Sequence, residues 1–278
     1  MTRRWHPRRV IVGAVALAVA AIFFVIPFLF MLLMATKDRS QASRFGFDLP
    51  EEFLLLENIQ AVFDTRNGLI FTAFQNSIVL TVLSVTGIVL VGTMAAFVLQ
   101  RRRDRVGGLV AGMLLLGLIL PPALVPTIYV LQWIGLFKTI FGLVLVEVAL
   151  ILPFAVLIFR TFMTAIPREL DEAAIIDGAT PWKLFSRIHF PLLRPAIITV
   201  IVVASVTVYN DFVNPLYFLP GDDNVTVQLT LFNFQSQFGS RWNLLFADVL
   251  LITIPPMIMF IFFQRQIVSG MTAGAVKG

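Results

Sequence analysis

Three carboxylates in this 278-residue chain stand where carboxylates are expensive: Glu147, Asp211 and Asp248 each fall inside a long apolar stretch. Insertion scales put the penalty for an acidic or basic side chain at the centre of a spanning helix at about 2.5–3.5 kcal/mol, so such groups face a cavity or a partner. Carboxylates and amides hydrogen-bond polyol hydroxyls, which makes Glu147 and Asn210 candidates for a wet pathway. The same residues also fit interhelical pairing or contact with a neighbouring subunit, and Asp211 and Asp248 fit a place near the outer headgroups. A second concentration of acids, Glu169, Asp171 and Glu172, leads into Ala173, Ala174 and Gly178 in a polar segment between apolar runs.

Other chemistry is excluded by what the chain lacks. It has no cysteine, hence no disulfide framework and no thiolate metal site, and its two histidines, His6 and His189, are too far apart in sequence for a zinc cluster motif. No Gly-Lys dipeptide occurs, so the phosphate-cradling Gly-x-x-x-x-Gly-Lys-Ser/Thr loop is missing and the chain does not itself hydrolyse ATP. Neither Gly-x-Ser-x-Gly nor His-Glu-x-x-His is present, which leaves a membrane-embedded hydrolase without a motif.

The elements that must carry these residues are set by composition: 58% of residues are hydrophobic, only 13% are charged, and mean hydropathy is +0.90. Too few polar side chains remain to cover a soluble globule of this size, whereas a spanning helix needs about 20 apolar residues. Uncharged or nearly uncharged stretches at residues 10–36, 69–100, 106–131, 139–159, 195–218 and 242–264 predict an all-α integral membrane protein with six transmembrane helices. Pro121, Pro122 and Pro126 in the third stretch, and Pro255 and Pro256 in the sixth, predict that those two spans are not straight. Ala18-Val19-Ala20 resembles a signal-peptidase site, but the apolar run continues to Met34 and reads as an uncleaved anchor. A mixed-charge amphipathic piece at residues 50–63 predicts a short helix along the membrane surface.

Net charge is +5, which in a soluble chain would raise nucleic acid as a partner; here it is topological. Of the 21 Lys and Arg, 15 fall before the first span, at residues 101–105, at residues 160–194 and after the sixth span; the alternate loops hold six. The positive-inside rule then places both termini in the cytoplasm. Arg101, Arg102 and Arg103 read as a cytoplasmic stop anchored by lipid phosphates. No long internal period appears, so an internally duplicated secondary transporter has no support.

Residues 165–191, on the cytoplasmic side by this count, predict helix, turn and helix. Acids crowd the first turns after Pro167, where the helix dipole favours them, Gly178 suits a left-handed cap, and Thr180-Pro181 restarts a helix as N-cap and first residue. Ala173 and Ala174 leave a smooth strip for backbone approach and Glu172 offers a carboxylate to a basic partner, which together describe a docking element. The other reading is an ordinary solvated amphipathic loop.

Glu172-Ala173-Ala174, Gly178, Ile188 and Pro191 resemble the EAA loop of ABC importer permeases at every fixed spacing, with Phe190 where that pattern usually has Leu. Tyr209-Asn210-Asp211-Phe212 with Pro215-Leu216 looks like the Trp-Asn-Asp/Glu segment of carbohydrate-uptake permeases of the maltose and glycerol-phosphate type, and residues 270–278 are similar to their C-terminal tail. The resemblance covers nearly the whole chain. It implies ATPase coupling through Glu172, Ala173, Ala174, Asp177, Gly178, Ile188 and Pro191; Tyr209, Asn210 and Asp211 of the second matched segment join the intramembrane carboxylate Glu147 as candidates for a translocation pathway. It also implies a multi-pass subunit of a bacterial inner (plasma) membrane carrying a small sugar or polyol. The implied partners are a second homologous permease, two ABC ATPase subunits that bind ATP and magnesium, an extracytoplasmic solute-binding protein and membrane lipid, with no nucleic acid, no catalytic residue, no metal site and no cofactor in the chain itself. The organisation is then a cytoplasmic N-terminus at 1–9, a permease domain at 10–264 and a cytoplasmic tail at 265–278, which the resemblance suggests becomes ordered against the ATPases, the other reading being a frayed end. The rival classes are a self-sufficient secondary transporter or channel, and a membrane-embedded enzyme.

Overall fold

The computed structural model describes residues 7–102, 104–235 and 239–275, with side chains between residues 12 and 264. Residues 1–6 with His6, Arg103, and residues 276–278 with Lys277 lie outside the described residues, as does the side chain of Arg265.

Every regular element among the described residues is helical. The chain runs through α1 (Pro7–Thr36), α2 (Leu55–Asp64), α3 (Leu69–Arg101), α4 (Arg105–Ile119) and α5 (Leu124–Trp133). Next come α6 (Ile140–Met163), α7 (Glu169–Ile176), α8 (Pro181–Leu192), α9 (Arg194–Tyr209), α10 (Val213–Phe218) and α11 (Trp242–Ala275). Among the described residues four stretches are long and apolar enough to cross a membrane on their own: Val12–Thr36, Leu69–Arg101, Ile140–Met163 and Trp242–Gln264. The α4–α5 and α8–α9 pairs, bent by 119° and 71°, raise that to as many as six.

The bend between α4 and α5 has a local cause. Between α4 and α5 lie Pro121 and Pro122, which lack an N–H and clash with the preceding turn; Leu120, just before them, is extended with ψ 132° as a residue before proline must be. The predicted span at 195–218 is not one helix. Its helix α9 has 16 residues, about 24 Å at 1.5 Å per residue and short of a hydrocarbon layer of about 30 Å. After it the Asp211 carboxylate accepts from the backbone N–H groups of Val213 (2.9 Å) and Asn214 (3.3 Å), which competes with continuation of the helix and caps the start of α10. Pro255 and Pro256, by contrast, sit inside the continuous α11. That helix also runs on through residues 265–275, where the sequence predicted a tail.

The contacts divide the chain into two units, residues 1–71 with 230–254 and residues 72–229 with 255–278. In the first, the end of α1 is closed from outside: Leu54 N–H donates to Thr36 O (2.8 Å), and the Asn58 amide donates to Ala35 O and Lys37 O. The predicted amphipathic helix is α2. Lys37 is fully buried, its ammonium donating to Gly46 O (2.7 Å) and lying 3.3 Å from Asp48.

In the second unit, α3, α6 and α9 share a core that includes Ile88, Ala96, Ala155, Phe159, Ala196 and Val200. Gly92 on α3 allows the close approach, since a Cβ there would sit 3.1 Å from the Phe159 ring of α6. Ala174 of α7 and Leu184 and Phe185 of α8 belong to the same core. The loop between α6 and α9 is therefore packed onto the helices and not merely tethered to them.

Candidate coupling site

Helix α7 starts with three acids in its first turn, Glu169, Asp171 and Glu172, where the unsatisfied N–H groups favour negative charge. It ends at Gly178, whose φ of +77° is the left-handed cap expected there, with Gly178 N–H donating to Ile175 O and Ala179 N–H to Ala174 O. Thr180 then caps α8 through its hydroxyl, which accepts from Lys183 N–H (3.3 Å), and Pro181 occupies the first turn. A π-helical turn at Phe185–His189 lies within α8.

The two alanines do different work. Ala174 is buried in the core while Ala173 faces out, so the smooth strip is one alanine wide and not two. Glu172, Asp177 and Gly178 are exposed with Ala173, as is Pro191, and Ile188 is half-buried against the core. Beside them stand large apolar side chains that sequence reasoning did not single out: Ile176 is 85% exposed, and Ile175 and Trp182 are each 61% exposed. Such a patch on a packed mount is the composition of a docking surface.

Behind this face lies a cluster that the sequence did not reveal. The Arg101 guanidinium donates to Asp171 Oδ2, while Asp171 Oδ1 is 2.6 Å from His189 Nε2, itself 2.7 Å from Arg101 Nη2. The guanidinium lies 3.9 Å from the Phe97 ring centroid. Arg101 is therefore a structural partner of α7, where the sequence suggested a lipid-bound stop. The cluster lines a cleft of about 480 Å³, together with Gln100, Thr164, Arg168 and Glu172.

The intramembrane polar residues are partly brought together. Glu147 is 2% exposed, accepts from the Asn214 amide (3.1 Å) and lies within hydrogen-bonding reach of the Asp211 side chain. Asn210 is linked elsewhere, its amide donating to Val206 O and its oxygen accepting from Gln228 (3.2 Å). Tyr209 lines a separate cavity of about 230 Å³ with Thr81, Ser205, Pro255 and Pro256. Asp248 belongs to the first unit, where Thr230 Oγ1 donates to it (2.8 Å). Asn214 is the residue missed; its position three after Asp211, in a short polar break, was the available signal.

Residues 88–273 match the family of binding-protein-dependent transport system inner membrane components. The chain is 33% identical over 210 residues to a diacetylchitobiose uptake system permease protein of Streptomyces coelicolor, covering 75% of this chain and 76% of that one. It is 30% identical over 260 residues to a trehalose transport system permease protein of Mycobacterium tuberculosis, with 92% and 93% covered. Its fold is similar to a chain in the crystal structure of a bacterial ABC transporter involved in alginate import, with a TM-score of 0.78 at 19% identity over 95% of this chain and 99% of the other.

Proposed function

This chain belongs to the family of binding-protein-dependent transport system inner membrane components, and from that premise we propose that it is one permease subunit of an ATP-driven importer for a sugar or related polyol. It is a transport subunit and not an enzyme. It pairs with a second homologous permease, is driven by two ATPase subunits that hold ATP and magnesium, and receives its solute from an extracytoplasmic binding protein. The observation that carries the reading is the α7–turn–α8 loop, with Glu172, Ala173, Ile176 and Trp182 outward and Ala174, Leu184 and Phe185 locked in the core. Counted with α4–α5 as one span and α9 with α10 as another, the chain crosses the membrane six times and presents the α7–turn–α8 loop and both termini to the cytoplasm, in line with 15 of its 21 Lys and Arg.

Closure of the ATPases moves the loop as a body and rocks the helices between inward-open and outward-open packings, each favoured by a different ligand state. Residues 265–275 of α11 continue beyond the sixth span toward the ATPases. The hydroxyl-rich substrate class is supported by the names of the relatives and by Glu147, Asn210, Asp211 and Asn214, acceptors and donors suited to sugar hydroxyls. The test is purification from native membranes in mild detergent. ATPase subunits, a second permease and a solute-binding protein should co-purify, and Ile176→Asp should lower ATPase retention about tenfold by placing an uncompensated charge in the docking face. Transport by the chain reconstituted alone would refute the assignment in favour of a self-sufficient transporter.

A further inference from the structure

We propose that Asp171 is a positioning residue that rivets the docking loop to the end of α3, so that α7, α8 and that helix end move as one body. The proposal rests on the coupling role given above and adds the route by which motion leaves the loop.

One carboxylate joins three elements. Asp171 in the first turn of α7 accepts from Arg101, the last residue of α3, and faces His189 of α8 at 2.6 Å, with Arg101 Nη2 and His189 Nε2 2.7 Å apart. Aromatic rings fix the geometry from the side. Phe97, one turn before Arg101, lies under the guanidinium and has its ring centroid 5.3 Å from both His189 and Phe185. The side chains of Arg101, Asp171 and His189 are only 29%, 22% and 4% exposed, so the charges interact with less screening than an open surface pair.

Among the described residues α7 is otherwise held by apolar packing of Ala174 in the core, which is non-directional. The Arg101–Asp171 ion pair, with His189 Nε2 bonding to one of the two, is charge-assisted and directional and cannot slide without breaking. It lies next in sequence to Glu172 and one turn from Ile175 on the outward face. A displacement imposed on that face is thus delivered to α3, a helix of 33 residues and about 50 Å in length.

The test uses the assembled importer, with its partner subunits made cysteine-free; this chain itself has no cysteine. Asp171→Asn preserves shape and should leave ATPase retention unchanged while solute transported per ATP hydrolysed falls about tenfold. Arg101→Cys combined with Asp171→Cys should be equally uncoupled, and joining the two thiols with a short bifunctional methanethiosulfonate should restore the ratio to within about twofold of wild type until the link is reduced. A wild-type ratio in Asp171→Asn overturns the proposal, as does a linked complex that stays uncoupled or stops. The docking reading fails separately, by unchanged ATPase retention in Ile176→Asp.

Discussion

At Asn58 a single side-chain amide closes the end of a 30-residue apolar helix. Its Nδ2 donates to Ala35 O (2.8 Å) and Lys37 O (2.9 Å), and its Oδ1 accepts from Asn243 Nδ2 (2.8 Å), all out of contact with solvent. The last carbonyls of α1 have no intrahelical donor and no glycine cap follows, so this amide and Leu54 N–H satisfy them. Asn58→Leu keeps the volume and orphans those groups, which should lower stability by about 1–3 kcal/mol for each one left unpaired. The midpoint of unfolding in detergent reads this out, and an unchanged midpoint would show that water reaches the site. Asp104 makes a pH-dependent contribution of the same local kind. It caps α4 by accepting from Gly107 N–H (2.9 Å), and that bond above all holds its carboxyl below the usual aspartate range, against an opposing effect of desolvation and with smaller help from Arg102. A carboxyl depressed in the folded state stabilises it above the unfolded-state value and loses that contribution as pH falls through the folded one. Acidification should therefore reduce amide protection in the first turn of α4, and Asp104→Asn, which still caps, should abolish that pH dependence. A variant with the wild-type acid response would assign the response to another group.

Among elements, the turn between α7 and α8 makes the sharpest demand on one residue. Gly178 has φ +77°, and a Cβ built there would meet nothing within 4 Å, so only backbone strain opposes a side chain. For an ordinary L-residue that strain is about 1–2 kcal/mol, and asparagine tolerates the region best. Gly178→Asn should consequently retain coupling, whereas Gly178→Val and Gly178→Pro should re-aim α8 and lose most solute-stimulated ATP hydrolysis with the chain still inserted. Equal loss in all three would mean that the space around Gly178 is filled by a partner and that size matters more than φ. This turn was readable in advance because its signals are local: an acidic first turn, Gly178, then Thr180-Pro181. The rivet was not, because Arg101 and Asp171 are 70 residues apart and meet only once α3 and α7 have packed. The end of α9 escaped notice for another reason. Hydropathy averaged over 195–218 hides Asn210 and Asp211, although an aspartate can offer the backbone N–H two residues on an alternative to the helix bond.

For the whole molecule the question is parity, and the 119° bend between α4 and α5 makes it testable. If that pair crosses the membrane, three crossings separate the loop after α1 from α7, which then lie on opposite sides. If the pair instead dips in and returns, only α3 and α6 cross between them and both loops share a side. Charge favours the first: four Lys and Arg lie at 101–105, against Lys138 alone after α5. The length of the pair agrees, since residues 105–133 hold enough apolar chain to span even when bent. Leu49, 81% exposed, and Ile134, 46% exposed, mark the two loops expected outside, and the exposed Glu169 marks α7. In a chain with no native cysteine, Leu49→Cys and Ile134→Cys should react with an impermeant maleimide added to intact cells, and Glu169→Cys only after permeabilisation. Labelling of Glu169→Cys from outside together with Leu49→Cys would make the α4–α5 pair re-entrant, remove the docking face from the ATPases' compartment, and with it the importer mechanism.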